Sequence, residues 1–423
     1  MENEKKGFLS RRGILKSLGL AGAAVMAAPV FKIGETAIHA ATTTTGSSTT
    51  GVKVGLLVPA SSVYSSSFLN GYNLYLDQYF TANGSLPFVT VIEEITNGPS
   101  SALSKLNRLI NNSGITVAVG LMNSRISKYL VGAVENAKID FVEANLGENF
   151  FDKNTLSSRF FQSSLNLWQA HYMLGEYAAA NVGNKAVCVT SFLDSGYDAL
   201  YAFEAGFIAG GGTVQNRIVS GNPVTNLSPV DAAMLCTGSD ANVVFANYSG
   251  SDAATFLSTF KNNGSTLPVY SSGMMIQQRV LNFVGADAAG IVSAHSWDFG
   301  SATTFDTAYQ TKYNQLADDF SVLGYDTAIA LCSAVSQMTR SLNPITFNDA
   351  MTGVEINTPR GVVKMNPNTH AFEAPVMVMN MINNGTNIVS RNITTEAIDA
   401  TVTTDAFKLT PDGSSGATQS YPN

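Results

Sequence analysis

From Val52 onward the chain alternates short apolar runs with segments whose apolar residues recur every three or four positions. "VKVGLLVP" is stopped by Pro59 and reads as a strand. Phe68, Tyr72, Leu76 and Tyr79 then mark an amphipathic helix. "PFVTVIEEI" is a strand, and Pro99 and Ser100 open a helix carrying Leu103, Leu106, Leu109 and Ile110. "GITVAVGLM" is the next strand, followed by a helix from about Ser124 to Ala137 and a fourth strand, "IDFVEAN". Strict alternation of this kind predicts βαβ units around a parallel sheet. "SRFFQSS" leads as a strand into a helix beginning near Trp168, and the pattern restarts. Strands "KAVCVTSF", "TVQNRIV", "NVVFANY" and "PVYSS" alternate with helices to give a second α/β lobe. The remainder reads as strand "GIVSAHSW", a long helix "YDTAIALCSAVSQMT", and a strand pair, "GVVKMN" with "APVMVMNMINNG". The last of these turns at "NNG" into "TNIVS". At 423 residues the chain is longer than one core normally supports, which also predicts two lobes.

The first forty residues differ from the rest. Lys5, Lys6, Arg11, Arg12 and Lys16 precede the uncharged run "SLGLAGAAVMAAPV". A basic start, a short apolar segment and a small-residue end make a secretory signal. Ser10 to Lys16, "SRRGILK", resembles the twin-arginine export signal, with Ile14 where Phe is commonest. Cleavage is expected near Ala40 or Ala41, with retention as an anchor the alternative. Residues 41–51 are a Thr/Ser-rich tether. The net charge is −7, and residues 1–40 hold six of the 24 basic groups but only three of the 31 acidic ones. The exported part is therefore more acidic still, which disfavours nucleic acid and anionic lipid as partners. Cys188, Cys236 and Cys332 are too few and too widely spaced for a disulfide framework and read as buried thiols, a Cys188–Cys236 bridge being the alternative.

Several motifs are excluded. Gly210-Gly211-Gly212 follows a helix and precedes a strand, so it stops a helix and does not cradle a phosphate. The histidines His39, His171, His295 and His370 have no metal-ligand spacing, and no cofactor is expected. There is no Gly-x-Ser-x-Gly elbow. Ser124 and Lys128 are four apart, not three, which speaks against Ser124 as a nucleophile. Asn123 and Ser124 instead stand where a strand gives way to a helix, where side-chain oxygens cap the first turn. In an open parallel sheet such loops also lie where ligands bind. The loops at 60–64, 145–147, 191–197 and 247–251 are similarly rich in small polar and aromatic residues. They predict a cleft lined by hydroxyls and aromatic rings. Tyr72, Tyr75 and Tyr79 belong to a helical core stripe. Tyr64, Tyr197 and Tyr248 sit in loops, and Trp168 and Trp297 stand where the chain passes between lobes.

Taken in order, these segments resemble the type I periplasmic binding proteins, in the branched-chain amino acid and amide branch of ABC-transporter solute receptors. The carrying stretches are "VKVGLLVPASSVYSSSFLNGYNLYLD", "ITVAVGLMNSRISKYLVGAVENAKIDFVEAN", "RFFQSSLNLWQAHYMLGEYAAANVGNKAVCVTSFLDSGYDALYAFEAGFIAGGGTV", "GYDTAIAL" and the tail "TPRGVVKMNPNTHAFEAPVMVMNMINNG". The resemblance implies two doubly wound α/β lobes closing on a ligand like a clamshell. Three crossings would join them, near Ser163–Trp168, His295–Trp297 and Lys364–Pro367. Lobe one would combine 52–165 with 298–362, lobe two 166–295 with 366–395, and 396–423 would be a tail. Carried over by position, the site would include Ser61, Ser62 and Tyr64, then Asn123 and Ser124, then Asn145, Leu146 and Gly147. Tyr197, Tyr248 and Ser249 would follow from the second lobe. The implied role is non-enzymatic: an exported, extracytoplasmic protein that takes up a small ligand and hands it to permease subunits. A sensor of the same fold and an exported hydrolase are the alternatives. The acid that holds a ligand ammonium in the amino-acid receptors has no counterpart in "SSGMMI", where Gly273 stands, and Gly147 replaces a hydroxyl. Both departures point to a neutral or less polar ligand.

Overall fold

The computed structural model describes residues 51–60, 62–96, 98–148, 157–192, 194, 199–222, 225–298, 303–340, 345–385 and 388–396. The segment expected to be an export signal and residues 397–423 lie outside them. No described helix is long and apolar enough to cross a membrane.

Five parallel strands form sheet one: β1 (Lys53–Pro59), β2 (Val89–Ile95), β3 (Val117–Leu121), β4 (Asp140–Asn145) and β5 (Phe160–Ser164). Their order is β2-β1-β3-β4-β5, so Leu56 of β1 is level with Ile92 on one side and Val119 on the other. Every residue of β3 and β4 is buried, as expected for strands covered on both faces. The connecting helices are α1 (Val63–Asn83), α2 (Pro99–Arg108), α3 (Ser124–Ser127) and α4 (Val131–Ala137). The single helix expected from Ser124 to Ala137 is thus broken, with a tighter turn at Lys128–Leu130 between two short pieces.

After α5 (Leu167–Asn181) the chain builds sheet two from β6 (Lys185–Ser191), β7 (Thr213–Ser220), β8 (Val243–Asn247), β9 (Val269–Ser271) and β10 (Val292–His295). Their order is β10-β9-β8-β6-β7, the same winding as sheet one. The helices here are α6 (Ala199–Ala209), α7 (Pro229–Thr237), α8 (Gly250–Asn262) and α9 (Gln278–Val284). Helices α10 (Thr304–Tyr313), α11 (Asp319–Arg340) and α12 (Phe347–Thr352) follow. Then come β11 (Glu355–Thr358), β12 (Gly361–Met365), β13 (Phe372–Glu373), β14 (Val376–Asn383) and β15 (Ile388–Glu396).

The expected strand pair of the tail is not formed. β12 pairs with β11 and β13 in a separate small sheet, whereas β14 runs antiparallel to β10 and pairs with β15 at the edge of sheet two. Each segment reads as a strand from its own residues, but a strand's own pattern does not name its partner.

Each sheet is covered by a helix pair in glycine-mediated contact. A methyl group at Gly71 of α1 would overlap the Ser321 carbonyl of α11, and one at Gly324 would overlap the Phe68 carbonyl in return. In the second half, Gly206 of α6 meets the Tyr172 carbonyl and Gly175 of α5 meets the Phe203 carbonyl. Glycine allows the backbones to approach where any side chain would hold them apart. The three cysteines are free and buried, and burial raises all three thiol pKa values.

Candidate functional site

In both sheets the winding reverses beside the first strand, so the loops after β1, β3, β6 and β8 flank the crevices where open α/β sheets bind ligands. On sheet one, Ser62 caps α1 by accepting a hydrogen bond from the Tyr64 N–H at 3.2 Å. The Tyr64 ring is buried and packs at 4.4 Å against Phe320. Asn123, in extended backbone, caps α3 by accepting from the Ile126 N–H at 3.2 Å. The cap is therefore Asn123, and Ser124 begins the helix. The Ser124 N–H donates to Glu148 Oε1 at 3.3 Å, and its hydroxyl accepts from Asn145 Nδ2 at 3.3 Å. Asn145 Oδ1 in turn accepts from the Gly147 N–H at 2.9 Å. The Leu146 and Gly147 carbonyls accept from the Leu167 and Trp168 N–H groups, both at 2.9 Å. These bonds tie the end of β4 to the start of α5. Below them lies Glu143, fully buried, whose carboxyl accepts from Ser127 Oγ at 2.9 Å. Burial first, and Glu148 second, push its pKa well above the usual carboxylate range.

On sheet two, the organising residue is Asp194, which the spacing Ser191-x-x-Asp194 could have signalled. Its carboxylate accepts from Ser191 Oγ at 2.7 Å, from Ser249 Oγ at 2.8 Å and from the Ser249 N–H at 3.0 Å. Its carbonyl accepts from Asn247 Nδ2 at 3.1 Å. One buried acid thus joins the loops after β6 and β8. Tyr248 is packed into the core of this half, stacked 5.0 Å from Phe256, with its hydroxyl accepting from Ser220. Trp168 is likewise buried, stacked on Tyr172 at 5.4 Å and packed with Ala202.

Between the two sets of loops lies a small pocket. Leu146 and Asp319 line it from the side of sheet one, and His171, Met274 and His295 from the side of sheet two. Trp297 closes it where the chain leaves β10. The centre of a water-sized sphere can reach about 40 Å³ of it, room for only a few waters. Gly273 also lines the pocket, and a methyl group there would overlap the His295 imidazole. The space of a side chain at 273 is therefore filled by a ring from β10. Burial and the neighbouring His295 push His171 down to about 3, and burial pushes His295 down to about 4 against the pull of Asp298. Both rings are neutral at ordinary pH. Neither His171 nitrogen has a partner in hydrogen-bond geometry.

Behind the pocket, Arg360 binds three segments at once. Its Nε meets Asp326 Oδ2 at 2.7 Å in a fully buried ion pair. Its Nη1 donates to Asn166 Oδ1 at 3.2 Å and to Ser296 Oγ at 2.8 Å. Ser296 Oγ donates onward to the Leu165 carbonyl at 2.8 Å, and Asn166 Nδ2 to the Phe372 carbonyl at 2.5 Å. These residues stand where the chain passes from sheet one to α5, from β10 back, and from β13 to β14. Sequence reading did not single out Arg360. Nothing in a lone arginine in a turn signals burial.

Of the residues expected at the site, Leu146 and Trp297 line the pocket. Asn123, Ser124, Asn145 and Gly147 form the hydrogen-bonded group beside the end of β4, Ser62 and Tyr64 lie at the start of α1, and Ser249 is held by Asp194. Ser61 and Tyr197 lie outside the described residues. Among the described residues no group of three His, Cys, Asp or Glu side chains could hold a metal ion.

The sequence profile of the periplasmic binding protein family matches residues 51–386. A Leu/Ile/Val-binding protein homolog from Brucella melitensis is 21% identical over 333 residues, 75% of this chain and 84% of the relative. Among solved structures, an ABC transporter substrate-binding protein from Sphaerobacter thermophilus superposes with a TM-score of 0.74 at 20% identity, covering 82% of this chain and 98% of that one. A solute-binding protein of an ABC transporter from Rhodopseudomonas palustris, solved with 3,4-dihydroxybenzoic acid, gives 0.69 at 21% identity, covering 82% and 97%. The chain belongs to the periplasmic binding protein family, with the type I fold of the branched-chain amino acid receptors.

Proposed function

We propose that this protein is exported by the twin-arginine route, captures a small organic ligand between two lobes and delivers it to an ABC-type permease. Lobe one would be 52–165 with 298–362, and lobe two 166–295 with 366–395. The observation that carries this reading is the pocket, because its walls come from the strand ends of both sheets while Arg360 gathers the chain crossings behind it. A ligand touching both walls binds the closed form better than the open one and shifts the population toward closure. The pocket as it stands is smaller than an amino acid, so the lobes must part to admit one. In this reading Leu146 and Trp297 touch the ligand. The Asn123–Ser124 and Asn145–Gly147 loops, with Ser62, Tyr64 and Ser249, form the rim that closes over it. By the resemblance Ser61 and Tyr197 also belong to the site, and Trp168 and Tyr248 support it from within lobe two. The role is capture without turnover. Small-angle scattering of the mature chain across a panel of metabolites tests it. The expected result is a ligand-dependent fall in radius of gyration, and a radius unmoved by every compound would overturn the reading.

A further inference from the structure

We propose that the pocket selects a small uncharged ligand, whose amide or hydroxyl group faces His171, over carboxylates, amines and α-amino acids. The inference rests on the solute-binding reading and sharpens it. A charged ligand needs a counter-charge, and among the described residues the pocket wall offers one charged group, Asp319, which is already engaged. Among the described residues no lysine or arginine lines it. The guanidinium behind it, Arg360, is neutralised by Asp326 at 2.7 Å. On the sheet-one rim, the Ser124 N–H that would meet a ligand anion already donates to the Glu148 carboxylate at 3.3 Å. A ligand carboxylate brought to the same place would face that acid.

The case for a ligand cation fails in a similar way. Position 273 carries no side chain, and the space of one is taken by the His295 imidazole, which burial keeps neutral. Asp319 does line the pocket, but its carboxylate accepts from Gln277 Nε2 at 3.3 Å across the two sides and lies in the first turn of α11, where the helix N-terminus favours negative charge.

In the pocket wall itself, an uncharged imidazole lacks partners, although Arg360 Nη2 behind the wall lacks one as well. His171 is buried in the pocket wall, and neither ring nitrogen has a partner in full hydrogen-bond geometry, the Leu167 carbonyl making only a weaker contact. A neutral imidazole presents one N–H and one lone pair. A ligand amide or hydroxyl can donate to the lone pair or accept from the N–H, so it can satisfy one ring nitrogen without burying a charge. The remaining walls, Leu146, Leu165, Leu167, Ala170, Met274 and Ala294, suit an apolar body.

The test is calorimetry and scattering on the full mature chain with benzamide, isobutyramide, benzyl alcohol, benzoate, benzylamine and isoleucine. We expect an uncharged probe to bind and close the protein, with benzoate, benzylamine and isoleucine weaker by roughly tenfold or more, the scale of one buried polar group left unsatisfied. His171→Phe should remove that preference, while His171→Gln, which keeps a donor and an acceptor, should retain part of it. Tighter binding and closure with benzoate, benzylamine or isoleucine would overturn the ligand class but leave the solute-binding reading standing. Preference unchanged in a folded His171→Phe would remove His171 from the site. Neither binding nor closure with any probe would overturn the proposal, and the metabolite panel then decides separately whether solute binding falls with it.

Discussion

Gly147 has φ of +99°, and a Cβ there would stand 2.5 Å from the Leu167 nitrogen and 2.6 Å from the Asn166 nitrogen. Both faults act together, so Gly147→Ala should lower unfolding stability by about 1–3 kcal/mol, measured in urea. The hydroxyl that resemblance expected at this position would block the close approach that joins β4 to α5. Glu143 makes a pH prediction. Its folded pKa lies above the usual 4.5, so between the two values the native chain holds a proton the unfolded chain has lost. Its contribution is favourable below the unfolded value and is lost as pH rises through the folded one, at about 1.4 kcal/mol for each tenfold difference in proton affinity between the two states. Glu143→Gln should flatten that loss, so that the variant gains on the parent as pH rises. A urea midpoint gap that stays constant with pH would refute it. The three buried thiols should be silent to a thiol reagent in the native state and react together on unfolding.

At the scale of elements, the Arg360 cluster ties together the segments that the proposed reading makes a hinge. Arg360→Met leaves Asp326 buried and uncompensated and should cost about 3–5 kcal/mol, whereas Arg360→Met with Asp326→Leu should recover much of that. Denaturant titrations of the three proteins check this. A double variant no better than the single would mean that the bonds to Asn166 and Ser296, not the ion pair, dominate. The strands were legible because each is a short apolar run closed by a turn, as "VAVGL" is. The tail was legible in kind but not in pairing, since a strand's own pattern does not name its partner and only tertiary contacts sort β12 and β14 into different sheets. Helix α3 was legible at its start, where Asn123 caps it, but not in its break after Ser127. The hydrogen-bonded group at the strand ends was legible where polar residues follow strands, at Asn123, Ser124 and Asn145. Asp194 left a local trace in its spacing from Ser191, but its bonds to Ser249 span more than fifty residues, and Arg360 acts between chain crossings, where local spacing carries no trace.

For the molecule as a whole, one apolar cluster holds side chains of both sheets, Val119 and Phe245 among them, together with Leu146, Leu167 and Met274 beside the pocket. Parting the lobes exposes part of that surface at a cost of about 25 cal/mol for each Å². The ligand-free protein should therefore populate the closed form appreciably, and weakening the contact should shift it. Met274→Ser is expected to raise the ligand-free radius of gyration with little change in overall stability. An unchanged radius would show that the hinge, not the apolar contact, sets the resting state.

The glycine-mediated helix pairs also set an order of assembly. Helix α5 meets α6 with only a turn and β6 between them, so the second half closes on near neighbours. Helix α1 must wait for α11, whose Ser321 follows Gly71 by most of the chain. Non-local contacts form late because the intervening loop must first be closed. The half that is synthesised first is thus the half completed last, and α1 keeps an exposed, unpartnered face until α11 arrives. Pulse-labelling hydrogen exchange should find protection in β6 and β8 before β1 and α1.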